Sequence, residues 1–408
     1  MYEPVLPTAG PPISTRPSSV RFRYIDDHDT SALERRAAFF ARVDRLSSEL
    51  AELADVDAIE ACLGRHLRAI DPELEWELRL GDDRELVLAT GGEPRLRPLV
   101  EAMVERFAPR DGWAWRAGRP ALPFERAIRR ISNHTGLDLG PARVRVGFVR
   151  AHLLELLIQA PGFGASGDEC AQRAATLAVE ALLGEQLMER WVAEVGVAPL
   201  PRGGPLRVLA PGDPGAASLP LIELAPTVSR AVAGLYAGLS PEPCHARDRG
   251  GDWTMLEAEP SASDDWAAQD DLLVATTMLP EMLRSFLCEP RFWSGRFSAH
   301  DELFCYVKLD QTGLERDERL AWRSALEDRL DGELAPAGLG AVVGNGFGVR
   351  YGYVVLALHR LLPALERVRE LCRAAAAPRR SWIQFCDAEH CDEWLAVWPG
   401  APAPPGHA

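Results

Sequence analysis

Lysine is nearly absent from this chain: Lys308 is the only one, and arginine supplies the rest of a Lys+Arg total of 45. That bias reflects the codon usage of a GC-rich bacterial genome and says nothing about activity. No apolar run approaches the roughly 20 residues a membrane helix requires, and the N-terminus lacks the charged-then-apolar pattern of a secretory signal, so a cytoplasmic location is expected. Cysteine occurs eight times, but singly, at 62, 170, 244, 288, 305, 372, 386 and 391. The scatter excludes a disulfide framework, and in a reducing compartment it predicts small buried hydrophobes. A nucleotide loop and a nucleophile-and-base signature are missing as well, and no cofactor is implied.

What is present sets an architecture. The 408 residues should divide into two or three domains, and a hydrophobic fraction of 47% supports packed cores. A net charge of −15 disfavours nucleic acid and anionic membrane surfaces, and it makes a basic protein the expected kind of partner.

The last quarter reads β-α-β-β-α-β. Leu303, Cys305, Val307 and Leu309 alternate with Phe304, Tyr306 and Lys308, the two-residue period of a strand. Leu320, Ala321, Leu326, Leu330 and Leu334 recur at helical spacing. Residues 339–343 and 349–358 come next as strands, joined by Gly344-Asn345-Gly346-Phe347-Gly348, which reads as a tight hairpin. A helix over Leu361–Cys372 and a strand at Trp382, Ile383 and Phe385 complete the pattern. The expected class is α+β, with a ferredoxin-like βαββαβ unit at 301–398.

Upstream, 1–20 reads as a flexible arm and 21–70 as helices, with Ser31 as a cap. Residues 71–200 hold ββαβ twice, the pattern of a structural duplication. A linker near 199–204 leads to a middle α+β region at 205–300, and 399–408 reads as a flexible tail.

Five groups of residues invite a functional reading. Phe304, Tyr306, Tyr351, Tyr353 and Trp382 would share one sheet face, open to a ligand or partner or else packed against the middle region. Leu303-Phe304-Cys305-Tyr306 and Arg350-Tyr351-Gly352-Tyr353-Val354 resemble the two motifs of the RNA recognition motif. The glycine after the basic residue is absent, however, Leu356 replaces an aromatic, and the unit is acidic. Cys386, His390 and Cys391 are the types for a metal, but adjacent His390 and Cys391 reach one ion poorly, and a solvated strand end is the simpler reading. Asp264-Asp265 with Asp270-Asp271 reads as a solvated loop, and Cys244-His245 lacks the geometry of a nucleophile. Finally, His245, His300, Glu302 and His359 could assemble an enzyme site in a cleft between regions.

Leu74-Glu75-Trp76-Glu77-Leu78 with Glu85-Leu86-Val87-Leu88, and Trp191 to Val197, resemble uncharacterised bacterial α+β families in which a ββαβ duplication ends in tryptophan-bearing strands. The resemblance covers about 70–200 and implies no site residues. The expectation is therefore a non-enzymatic module that binds a protein, of immunity or regulatory kind, with an interregion enzyme as the alternative.

Overall fold

The computed structural model describes residues 6–7, 30–80, 84–107, 112–150, 152–164, 168–200, 218–248, 252–262 and 266–407. Most of the expected arm and of the linker, the start of the middle region and Asp264-Asp265 lie outside these residues. The fold is α+β, and the chain divides into two bodies. One comprises Met1–Glu73, Glu93–Ala108 and Leu239–Ala408; the other comprises Leu74–Gly92 and Pro109–Gly238.

The first body is built on an eight-stranded sheet, in the order Leu6–Pro7, Thr254–Glu259, Leu272–Thr277, Gly340–Gly348, Tyr351–Leu358, Leu303–Asp310, Ser381–Phe385 and Trp394–Ala396. The four strands of the βαββαβ segment lie consecutively at its centre, and all their pairings are antiparallel. Two strands from the middle region extend the same sheet, because Leu272–Thr277 pairs with Gly340–Gly348. The region before 300 therefore shares a core with the βαββαβ segment.

Both faces of this sheet are covered, which is why its strands read as near-continuous apolar runs. Helices Arg316–Leu334 and Leu361–Ala374 cover the face of Cys305, Val307, Leu309, Val354 and Leu356. Helix Pro280–Cys288 and the segment through Phe292 and Phe297 cover the opposite face, where the aromatics stand.

The glycine-rich stretch is not a hairpin turn. Residues Gly340–Gly348 form one strand with a bulge after Val342, and the tight connection is Val349-Arg350. The glycines serve close approach: a Cβ at Gly346 would lie 2.6 Å from Leu272 Cδ1, and one at Gly348 would lie 2.4 Å from Asp271 Oδ1. Such crowding explains glycine inside a strand as well as a turn does.

Helices Thr30–Glu52 and Val56–Ile70 pair as a hairpin in the same body. Asp55 caps the second by accepting from Ala58 N at 2.9 Å. Ser31 lies inside the first helix, where its hydroxyl accepts from Arg35.

In the second body, Glu75–Leu80, Arg84–Ala89 and Trp113–Ala117 form one sheet; Val192–Pro199, Leu153–Ala160, Arg143–Arg150 and Leu219–Pro220 form another. Each contains an antiparallel hairpin and then a strand parallel to its second member. The helical segment of the second ββαβ is broken at Gly184 into Glu169–Leu183 and Glu185–Trp191. Gly184 has φ +80°, and a Cβ there would lie 2.9 Å from Ala121 N.

Candidate functional site, a histidine cluster at the end of the large sheet

Glu302 immediately precedes strand Leu303–Asp310, and His359 immediately succeeds strand Tyr351–Leu358. Because Leu303 pairs with Leu358, the antiparallel register brings Glu302 and His359 to the same sheet end. The 3-10 turn Cys244–Ala246 is tied there when Cys244 N donates to Glu302 Oε1 at 2.7 Å. His245 on that turn then lies with its ring 6.0 Å from the ring of His359.

The hydrogen bonds select tautomers, since a carbonyl can only accept. His359 Nδ1 contacts the His300 carbonyl at 3.1 Å, so Nδ1 is the donor, and in the neutral ring Nε2 keeps its lone pair. His300 Nε2 contacts the Ser240 carbonyl at 3.2 Å and donates likewise. His245 Nδ1 is buried without a hydrogen-bond partner among the described residues. Asp301 and Arg360, the neighbours of His300 and His359, both have φ of 52°, a left-handed conformation that non-glycine residues seldom adopt.

The expected four residues thus gather at one sheet end, where the rings of His245 and His359 approach each other while His300 joins through its carbonyl and Glu302 through the Cys244 N–H. What they do not form is a base-and-orienter pair. Glu302 is buried, and its two oxygens accept from Cys244 N and from Ser298 Oγ at 2.7 Å. The donors also fail to converge on a cation: the metal-compatible group among the described residues lies elsewhere, at Glu49, Cys62 and His66.

The aromatic face is closed. Phe304, Tyr306, Tyr351, Tyr353 and Trp382 are each no more than 2% exposed. Tyr306 meets Phe286 of the covering helix at 5.8 Å, and Trp382 Nε1 donates to Pro402 O at 2.7 Å. The terminal segment expected to be a flexible tail is docked on this face, because Trp382 needs an acceptor and Pro402 supplies it. A ligand or partner meets these five side chains only after the covering segments move.

Lys308 lies on the same face and is fully buried. Its Nζ donates to Trp266 O at 2.6 Å and stands 4.2 Å from the Tyr351 ring centroid. Burial pushes the nearby Asp270 carboxyl up, and the Lys308 charge opposes that rise. Asp271, read from sequence as a loop acid, is also buried; it accepts from Tyr353 Oη and, at 2.8 Å, from the backbone N–H groups of Arg350 and Tyr351.

At the Cys386, His390 and Cys391 terminus, Cys386 and His390 are buried and Cys391 is partly buried, so the end is not a solvated one. The His390 ring packs on Phe385 at 5.8 Å, and Cys391 Sγ lies 4.0 Å from Asp392 Oδ1. Burial pushes the Cys386 and Cys391 thiols up, which disfavours their thiolate forms.

No protein-family model, curated protein or solved structure matches the chain. Among the described residues, no helix is long and apolar enough to cross a membrane.

Proposed function

We propose that the protein is an acidic binding module, immunity-like or regulatory in kind, that captures a basic protein in the cytoplasm rather than turning over a substrate. The observation that carries this reading is the charge. Sixty acidic side chains oppose 45 basic ones, and the single lysine is buried in the sheet, so it presents no ammonium to a partner. Many arginines are consumed internally: Arg119 bonds Glu75, Glu77 and Glu180, and Arg95 bonds Asp71 and Glu73. The field that remains is negative and steers cationic surfaces toward the protein. No disulfide joins the cysteines among the described residues, which suits a reducing compartment. Since the aromatic face is closed, sheet edges and strand ends are the surfaces that serve binding. The likeness of 70–200 to bacterial α+β families of unknown function adds no residue role.

The test is association with the basic proteins encoded beside its gene, measured at about 50 and 300 mM salt. The association rate is expected to fall at least about tenfold across that range. Absence of binding to any of them at low salt would overturn the reading.

A second reading is favoured by the histidine convergence. His359, with its proton fixed on Nδ1, offers Nε2 as a base. His359→Asn preserves a donor toward the His300 carbonyl and deletes that base. Hydrolysis of a chromogenic ester or phosphate that is lost in this variant would favour an enzyme; activity unchanged in the variant would remove the site from consideration.

A further inference from the structure

Cys62 and His66 stand four residues apart on helix Val56–Ile70, so their side chains rise from the same face one turn apart. Glu49, in the last turns of the preceding helix, faces them across the hairpin. All three ligand atoms lie within 4.8 Å of one another. Glu49 Oε2 is 3.2 Å from His66 Nε2 and 3.7 Å from Cys62 Sγ. Bond lengths of about 2.05 Å to nitrogen, 2.1 Å to oxygen and 2.3 Å to sulfur, at tetrahedral angles, give edges of about 3.4 Å for N–O and about 3.6 Å for S–O. Both observed separations are within about 0.2 Å of those edges.

An ordinary core histidine would be tied to a hydrogen-bond partner. His66 is only 6% exposed, its Nδ1 has no hydrogen-bond partner among the described residues, and its Nε2 faces the Glu49 carboxylate at 3.2 Å. The side chain is therefore buried and grouped with a carboxylate and a thiol. The competing arrangement is an ion pair of Glu49 with Arg65, whose Nη2 lies 2.7 Å from the same oxygen. Arg65 is 67% exposed and can turn into solvent without opening the core.

We propose that Glu49, Cys62 and His66 form a zinc-binding site with three protein ligands and a fourth position taken by water or an incoming ligand. Thiolate and imidazole select zinc over magnesium or calcium, and three ligands leave the coordination open. Binding deprotonates the Cys62 thiol, and the proton passes to solvent. A bound ion would link helix Thr30–Glu52 to helix Val56–Ile70.

The test uses the full chain under reducing conditions, titrated with zinc by calorimetry and with cobalt by absorbance. The expected result is one metal per chain, with a thiolate-to-cobalt charge-transfer band. Cys62→Ser and His66→Gln should each weaken binding about tenfold to hundredfold or more. Arg65→Ala, a surface change that leaves the fold intact, should tighten it by freeing Glu49. Absence of stoichiometric metal, wild-type affinity in the Cys62→Ser/His66→Gln double variant, or weaker binding in Arg65→Ala would each overturn the assignment.

Discussion

Single side chains in this protein are governed less by their chemical type than by how deeply the sheet encloses them. Asp271 shows this: in sequence it is one of four acids around Trp266, but in the fold it is a buried acceptor for a phenol and two backbone N–H groups. Tyr353→Phe deletes one donor to that carboxylate while keeping the ring, and it should cost about 1–3 kcal/mol in denaturant unfolding. A cost near zero would mean that the phenol bond is not formed. Asp392 presents the opposite case. Burial pushes its carboxyl up to about 6; Arg95 opposes the rise, while Glu393 and Asp71 add to it. Its ordinary value is 3.8, so the folded state holds the proton more tightly than the unfolded state does. The stability this supplies is complete below about pH 3.8 and is lost as pH rises through about 6. Asp392→Asn should therefore stabilise the protein at pH 8 by about 2 kcal/mol and change little at pH 4, as urea melts at the two values would show.

At the level of elements, the positions of helices and strands were legible because side-chain period tracks backbone geometry. The stripe from Leu320 to Leu334 and the alternation from Leu303 to Leu309 both became the elements their periods imply. What the period could not reveal was which face met solvent. Here neither does, and aromatic against aliphatic took the place of polar against apolar. The Asn345-Gly346 pair misdirected the hairpin because glycine can answer either to a turn or to a crowded neighbour. The histidine site was legible as a set of residue types, but its assembly depends on Leu303 meeting Leu358, a register that no local pattern specifies. Cys62-x3-His66 was readable as one turn of helix, yet its third member lies across a hairpin, outside any spaced motif.

A glycine that its surroundings require can be separated from one that they do not in a paired experiment. At Gly340, φ is +154° and a Cβ would lie 2.4 Å from Ala357 O, so Gly340→Ala should cost about 2 kcal/mol or more. At Gly332, inside helix Arg316–Leu334, a Cβ would meet nothing within 4 Å, and Gly332→Ala should instead gain about 0.5–1 kcal/mol. Opposite signs in thermal melts would confirm that Gly340 is held by its backbone conformation and its crowded neighbour; a neutral Gly340→Ala would refute it.

For the molecule as a whole, a net charge of −15 means that carboxylates must be held by arginine wherever they crowd. The second body concentrates this arrangement on one sheet face. Glu77 accepts from Arg119 at 2.7 Å and from Arg130, while Arg79 and Arg116 bracket Glu85. Burial alone would raise the Glu77 carboxyl, but the hydrogen bonds and charge of Arg130 and Arg119 outweigh it and bring the group down to about 2. The unfolded chain takes up a proton near 4.5, the folded one only near 2. The stability supplied is therefore present above about pH 4.5 and lost as pH falls toward 2, the reverse of Asp392. Glu77→Gln should remove about 2 kcal/mol at pH 7, a figure reduced for partial solvent access, and should flatten the acid side of the stability profile. Acid unfolding monitored by circular dichroism would decide the matter: a variant as steeply acid-sensitive as the parent would mean that other carboxylates, and not this arginine-held one, set the low-pH limit of the fold.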